Sequence, residues 1–481
     1  MHQLRTADLV VLVVYVAGVV AFGCWFVRRS RTTDGFTKAG GALPAWAVGL
    51  SLFGTFLSSI TFLGVPGKAY AENWNAFVFS LSLPVAAWVG VRYFVPFYRR
   101  RGEISAYEHL ERRFGGWART YAVACYLLTQ LGRAGSILFG VALALNALAG
   151  WPIVPIILVT GALVTLYTLL GGIEAVIWTD VAQSLVLAVG ALVVVGVLVA
   201  GMPGGTDAIF SVAEAHGKLS LGRFDADLTT STFWVVLAYG LFINLTNFGI
   251  DQNYVQRYHA ARSDAAAGRS VWLAALLYPP VALVFFFIGT ALFAYYETQP
   301  ELLRPVREAV AREKLRRTEL HSVRGGGGAR SAVGQSSTPS FEPAGRSGTP
   351  SYEPHAGPTL EDAVRAEADL LEPRDYGDRV FPHFLATRLP PGVAGLLVAA
   401  LFAAAMSTVD TSLNSSATVI LSDLYRRYIR RAPGERESMR VLYGATLVMG
   451  VAGTGGAVAM IGIQSILDAW WALSGVFAGG L

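Results

Sequence analysis

The segment FAAAMSTVDTSLNSSATVILSDLYRRYIRR, Phe402 to Arg431, decides how the rest of the chain is read. It is helical in pattern and nearly uncharged for about 20 residues, enough to cross a bilayer, yet Asp410 and Asn414 sit in its middle. Ser407, Asp410, Thr411, Asn414 and Thr418 are spaced i, i+3, i+4, i+7 and i+11, which sets them along one helical face. A polar row on an apolar helix turns toward the interior of a bundle, not toward lipid. Rich in oxygen and carrying one carboxylate, this row suits a small, hard cation. Hydroxyls can instead bond carbonyls four residues back. That accounts for the serines but leaves a carboxylate at membrane depth without a role.

Working outward, the 481 residues are 53% hydrophobic and 15% charged, against roughly 25% charged in soluble proteins. Apolar runs long enough to cross a hydrocarbon core of about 30 Å fall near 8–27, 43–65, 74–97, 120–149, 152–170, 175–201, 231–250, 271–296, 391–421, 440–461 and 464–481. The pattern predicts an all-α polytopic membrane protein. The first run is read as a retained helix and not a secretory signal: its apolar part is too long, its basic residues follow it, and no small-residue cleavage site is evident. Cys24 and Cys125 are the only cysteines and both fall inside spans, so neither a disulfide framework nor a metal-spacing pattern is expected.

The net charge of +5 is small, but its placement is informative. Arginines cluster after the first span (Arg28, Arg29, Arg31), the third (Arg99 to Arg101, Arg112, Arg113), the seventh (Arg257, Arg262, Arg269) and the ninth (Arg426, Arg427, Arg430, Arg431). With alternating spans these loops share one side. The positive-inside rule makes that side cytoplasmic, in the cell membrane, with the N-terminus outside. Juxtamembrane charge accounts for the clusters, so no nucleic-acid partner is expected. The expected partners are a small solute and the bilayer, with no obligatory protein partner.

The long polar segment at about 300–380 has a Gly-, Ser- and Pro-rich middle with a near-repeat, TPSFEP and TPSYEP. It cannot bury enough apolar surface to offset its ordering entropy and is expected to be disordered, flanked by amphipathic pieces such as VREAVAREKLRRTEL. A tolerated insertion is the simpler reading; a binding role is the alternative. The chain stops at WWALSGVFAGGL inside an apolar run, which reads as a cut end or an unusual terminus.

Two spans are poorly made for plain lipid crossing. The second, WAVGLSLFGTFLSSITFLGVPGKAY, is interrupted by Gly54, Thr55, Ser58, Ser59, Thr61, Gly64 and Pro66. The seventh, FWVVLAYGLFINLTNFGIDQNYVQRY, contains Gly240, Asn244, Thr246, Asn247, Gly249 and Asp251. Spans two to six and seven to eleven form two sets of five in reversed orientation, and an interrupted helix opens each. Matching broken helices in inverted halves point to a midplane binding site, because unwound backbone in hydrocarbon must be satisfied by protein, water or ligand. Close helix packing through Gly and Ser is the structural alternative. This divides the chain into an extra N-terminal helix with its loop (1–42), a first repeat (43–201), an extracellular loop (202–230) and a second repeat (231–481). Asp180, in GGIEAVIWTDVAQ, adds a second intramembrane acid. Arg133, in CYLLTQLGRAGSILFG, adds a cation that either anchors a substrate carboxylate or pairs with Asp180 or Asp410.

The chain resembles the sodium/solute symporter family of sodium-coupled glucose, proline, sialic acid, iodide and monocarboxylate transporters. The resemblance rests on FLGVPGKAY, GGIEAVIWTD, DQNYVQRY and AAAMSTVDTSLNSSATVILSDLY, and covers about 8–481 outside the long loop. It implies a leucine-transporter-like 5+5 inverted repeat with one helix in front, cycling by alternating access, with Na+ as the coupling ion. Carried over by motif, the Na+ site would use the carbonyls of Gly54, Leu57 and Ala404 and the hydroxyls of Ser407 and Thr408. The i, i+3, i+4 spacing of Ala404, Ser407 and Thr408 independently lets their oxygens converge. Some members bind a second sodium through an aspartate matching Asp180 and hydroxyls a turn below. The corresponding set here is Asp180, Ser407, Asp410 and Thr411, and its carboxylate at 410 leaves a second sodium, a proton or a pair with Arg133 open.

The resemblance further implies a substrate beside the break, among Ser58, Ser59, Thr61, Phe77, Ser80 and Arg133. Members with an arginine on the corresponding helix bind carboxylated solutes, so a small organic anion is expected, with a neutral sugar-like solute as the alternative. Stoichiometry then matters. One charge moved through 100 mV is worth about 2.3 kcal/mol, roughly a factor of 50 in accumulation, and a monoanion carried with one Na+ gains none of it. The function expected is transport, not enzymatic catalysis. A sensor module with a following signalling domain and a channel are the rival readings, the second disfavoured by the reversed five-helix pairing.

Overall fold

The computed structural model describes residues 5–57, 59–325 and 359–461. The expected eleventh span, 464–481, and the Gly/Ser/Pro-rich middle of the long loop lie outside the described residues. Among the described residues the fold is helical, and its only β feature is a single bridge between Leu43 and Ala261.

The chain enters through α1 (Thr6–Trp25) and a short α2 (Thr33–Lys38). The expected span 43–65 is then two helices, α3 (Ala45–Phe56) and α4 (Ser59–Ala71). Leu57 between them is extended (φ −93°, ψ 90°). The third crossing, α5 (Trp74–Arg101), contains a π-helical turn at Gly90–Phe94. It is followed by α6 (Glu108–Phe114) and α7 (Gly116–Ala149).

Spans 152–170 and 175–201 join as α8 (Ile153–Gly201), 49 residues without a loop. A straight helix of that length would be about 74 Å long, more than twice the hydrocarbon thickness of about 30 Å. The direction changes at Gly172, whose backbone (φ 57°, ψ −158°) is open essentially to glycine alone. A Cβ there would also lie 2.9 Å from the Phe36 Cα.

After α9 (Gly205–Ala215), the second interrupted span is α10 (Phe233–Ile250) and α11 (Gln252–Ala260). They are separated by extended Asp251 (φ −77°, ψ 118°), whose carboxylate accepts from the Asn253 amide at 2.8 Å and so caps α11. Its Gly240 and Asn244 remain helical; Asn244 donates to the Ser82 hydroxyl of α5 at 3.0 Å. Then come α12 (Asp264–Thr298), α13 (Arg304–Gly325), α14 (Leu360–Leu370), α15 (Pro373–Arg388), α16 (Val393–Val419, continuing as a π-helix to Ile429) and α17 (Glu435–Ala459).

Of the long polar segment the flanks are described, and the piece VREAVAREKLRRTEL forms most of α13. Both of its flanks are helical. Val306, Val310 and Ala311 of α13 and Val364, Ala368 and Leu371 at α14 are all buried, giving the hairpin an apolar seam. A capping box of Thr359 and Asp362 starts α14. α15 in turn sets Phe381 against Phe62 of α4, ring centres 5.6 Å apart.

Eight of the described helices are long and apolar enough to cross a membrane. Burial ranks them: 83% of the apolar window of α16 is enclosed, against 22% for α1. The segment with the polar row is therefore the centre of the bundle. It is flanked by α8, α7, α1 and α17, while α12 packs along α3 and α4. If Gly172 is the device that folds α8 back, Gly172→Ala should lower the melting midpoint of the detergent-purified protein, with on the order of 1–3 kcal/mol lost to backbone strain alone. Gly196→Ala on the same helix, where an added Cβ meets nothing within 4 Å, should not lower it.

Candidate functional site

The site is built where α3 stops. Gly54 lies one turn before the break, and the Leu57 amide still reaches its carbonyl at 3.1 Å. A Cβ at Gly54 would lie 3.3 Å from the Ser407 Oγ, 3.0 Å from the Ser184 Oγ and 3.7 Å from the Asp180 Cβ. The absence of a side chain lets the end of α3 come against α16 and α8 together. Leu57 is buried, and α16 touches both α3 and α4. On α16 the Thr408 hydroxyl lies 3.1 Å from the Ala404 carbonyl, so these two oxygens share one patch. The structure thus brings Gly54 to Ser407, and Thr408 to Ala404, on the buried side of α16.

The hydroxyls of α16 do not all bond in the same way. Thr408, Ser412, Ser415 and Thr418 each donate to the carbonyl four residues back, at 2.7–3.1 Å. Ser407 does not; its hydroxyl crosses to the Asp180 Oδ1 at 2.5 Å.

Asp180 is the hub. Its Oδ2 accepts from the Ser51 hydroxyl at 2.5 Å and from the Arg257 Nη2 at 2.9 Å. Arg257 also donates to the Ser51 Oγ at 2.7 Å, the Thr411 Oγ1 at 2.7 Å and the Asn253 carbonyl at 2.8 Å. Both partners of the ion pair are sealed, with side-chain exposures of 1% and 0%. This corrects two expectations. Arg257 is not a loop charge after the seventh span, because α11 turns back into the bundle. The partner of Asp180 is Arg257 and not Arg133.

Asp410 faces another way. Its Oδ2 accepts from the Tyr167 hydroxyl at 2.5 Å and from Thr179 at 3.5 Å, while its Oδ1 has no hydrogen-bond partner among the described residues. Of the second-cation set, Asp180 and Ser407 touch directly, Thr411 joins them through Arg257, and Asp410 sits against Tyr167.

The rest of the polar row meets α11. The Gln256 amide donates to the Asn414 Oδ1 at 2.8 Å and the Thr418 Oγ1 at 3.0 Å, and the Ser415 hydroxyl, shared with its own helix, lies 2.6 Å from the Asn253 Oδ1. Sequence reasoning missed this interlock, and with it Ser51, Ser184 and Tyr167. A signal was available for α11: Asn253, Gln256 and Arg257 in DQNYVQRY are themselves spaced i, i+3, i+4. Nothing local marks Tyr167 or Ser51 as a carboxylate partner.

Of the substrate set, Ser58 lies outside the described residues. Thr61 donates to the Phe56 carbonyl at 3.4 Å, across the break. Phe77 packs on Phe286, ring centres 5.7 Å apart, and the Ser80 hydroxyl bonds the Phe77 carbonyl at 2.6 Å. Arg133 is half-buried, with its Nη2 3.5 Å from the Thr55 carbonyl, and no carboxylate lies within ion-pair distance of it among the described residues. Phe56 at the break is ringed by Phe248, Tyr254 and Tyr278 at 5.3–6.0 Å. The donor set at the break is all oxygen. Among the described residues no three His, Cys, Asp or Glu side chains gather into a transition-metal cluster.

A helical membrane bundle with its backbone broken at the core, against an oxygen-lined central helix, defines the class of cation-coupled secondary transporters. A family model described as the sodium:solute symporter family matches residues 36–314 and 368–473, and the chain belongs to that family. The chain is 32% identical to the sodium/sialic acid symporter SiaT of Proteus mirabilis, over all of this chain and 84% of that protein. It is 30% identical to the sodium/sialic acid symporter NanT of Aliivibrio fischeri, over 98% of this chain and 81% of that protein. It also superposes on the substrate-bound outward-open state of a Na+-coupled sialic acid symporter with a novel Na+-site, with a TM-score of 0.77, 29% identity, and coverage of 99% of this chain and 87% of that one. The fold is leucine-transporter-like, and the family and these relatives are sodium-coupled transporters. The interval between the two matched stretches falls on the long insertion.

The ion pair at the hub makes a stability prediction. Arg257→Gln strands Asp180 as a buried charge, which should cost about 3–5 kcal/mol. The Asp180→Asn, Arg257→Gln double variant should recover much of that loss. Thermal melting of the three proteins checks it: a double variant less stable than Arg257→Gln would mean that the pair is not the hub.

Proposed function

We propose that this protein couples Na+ entry to uptake of a small carboxylate-bearing solute by alternating access. The observation that carries the reading is Arg133: a half-buried guanidinium beside the break at Thr55–Leu57, with no carboxylate within ion-pair distance among the described residues and only the more distant Asp251 to balance it. An arginine at membrane depth is costly unless it is paired or functional, and its planar fork matches a carboxylate through two parallel hydrogen bonds. The relatives' sialic acid is an acidic sugar, which supports the same assignment.

In this reading Na+ is held by the carbonyls of Gly54, Leu57 and Ala404 and the hydroxyls of Ser407 and Thr408. Ser59, Thr61, Phe77 and Ser80 complete the solute pocket with Arg133, together with Ser58. The approach of Gly54 to Ser407 supports this ion site. A second cation would engage Asp180, Ser407 and Thr411 in competition with Arg257, with the Asp410 carboxylate supplying the extra negative charge. The breaks at Leu57 and Asp251 open two five-helix repeats, 43–201 and 231–481, behind an extra helix and loop at 1–42 and joined by an outer loop at 202–230. The arginine-rich ends face the cytoplasm, which puts the N-terminus of the chain outside the cell membrane.

Two measurements on reconstituted protein test this. Ser407→Ala and Thr408→Ala should each raise the Na+ concentration for half-maximal uptake by about tenfold or more, since a charged oxygen contact contributes on the order of 1.5–3 kcal/mol. Unchanged Na+ dependence in both would remove the ion site. Arg133→Gln should depress uptake of an acidic sugar far more than that of its neutral analogue; equal losses would favour the neutral sugar-like solute.

A further inference from the structure

We propose that the arginine-rich end of α16 carries a binding site for the phosphate of an anionic phospholipid. A cavity of about 570 Å³ opens where the loop after α5, the start of α7 and the π-helical end of α16 meet. Four arginines line it, Arg119, Arg426, Arg427 and Arg431, with Glu108 and Glu111.

The charges do not cancel. Arg119 donates to the buried Asp423 at 2.6 Å and to Glu111 at 2.9 Å, and Arg427 pairs with the same Glu111. Glu108 turns to Arg112, 3.7 Å away. That leaves Arg426 and Arg431 without an acidic partner among the described residues, both facing the cavity. Two uncompensated guanidiniums match one phosphodiester, whose non-ester oxygens accept from such forks.

The rim favours a lipid over a free anion. Tyr428 and Ile429 at the end of α16 are 58% and 71% exposed, and Trp117 at the start of α7 is 72% exposed. Exposed Trp and Tyr at helix ends occupy the headgroup level of a bilayer, and basic pockets between membrane helices there select anionic headgroups. Two further observations agree. Ile420–Ile429 is π-helical, a winding that concentrates at functional sites. At the end of α5 a second cavity of about 310 Å³ is lined by Arg92, Arg100 and Arg101 with Tyr93 and Phe97. There Arg101 lies 4.1 Å over the Phe97 ring and Arg92 lies 5.4 Å from Tyr93.

The test is native mass spectrometry of the full chain purified with palmitoyl-oleoyl phosphatidylglycerol or phosphatidylcholine. The wild type should retain phosphatidylglycerol preferentially. Arg426→Gln with Arg431→Gln should cut that preference roughly thirtyfold, about fivefold per arginine. Arg436→Gln with Arg440→Gln, exposed arginines of α17 outside the cavity, should leave it unchanged. Equal retention of the two lipids by the wild type, or equal loss in the two double variants, would overturn the proposal. So would displacement of phosphatidylglycerol by millimolar inorganic phosphate, which would instead mark a soluble-anion site.

Discussion

Asp180 and Arg257 hold the centre of this protein together. Each is closed off from solvent, each would be prohibitively costly alone at that depth, and together they tie four helices, α3, α8, α11 and α16, to one point. Ser51 on α3, Ser407 and Thr411 on α16, and Asp180 on α8 all meet the guanidinium of Arg257 or the carboxylate it neutralises. A charged pair with its remaining donors and acceptors satisfied has few alternative arrangements. It fixes the rotation of α16 and the depth at which α3 may end.

The break in α3 follows from that anchoring. An unwound backbone inside a bilayer is tolerated only where protein or a polar site covers it. Here α16 covers it, and the bare Cα of Gly54 lets the cover come within contact distance of Ser407. The second break obeys the same rule with a different device: Asp251 caps the helix it opens, and Asn253, Gln256 and Arg257 of that helix meet Ser415, Asn414, Thr418 and Thr411 of α16. The result is a central helix that carries a row of polar side chains without exposing any of it to lipid. The same geometry leaves Arg133 outside the pair, half-buried beside the break.

The insertion and the arginine-rich ends show how local composition and packing divide the work. Between α12 and α15, helices α13 and α14 share an apolar seam, Val306 and Val310 with Val364 and Leu371. At the opposite pole, arginines that read from sequence as one class of juxtamembrane charge separate into distinct kinds. Arg257 is buried in the ion pair, Arg427 pairs with Glu111, and Arg426 and Arg431 face a cavity without an acidic partner among the described residues.

Periodicity and composition were sufficient by themselves to determine the helical membrane class, the two interrupted spans and the inward-facing row at 407, 410, 411, 414 and 418. Each of these depends on local chemistry: apolar run length, Gly and Pro content, and the 3.6-residue repeat. What only the tertiary structure decided is who meets whom. Arg257 and not Arg133 neutralises Asp180, Tyr167 and not Arg133 meets Asp410, and the crossings at 152–170 and 175–201 are joined through Gly172 without a loop. Ion pairs between residues 77 positions apart leave no periodic trace. Their partners are chosen by the relative rotation of whole helices, which a one-dimensional pattern does not encode.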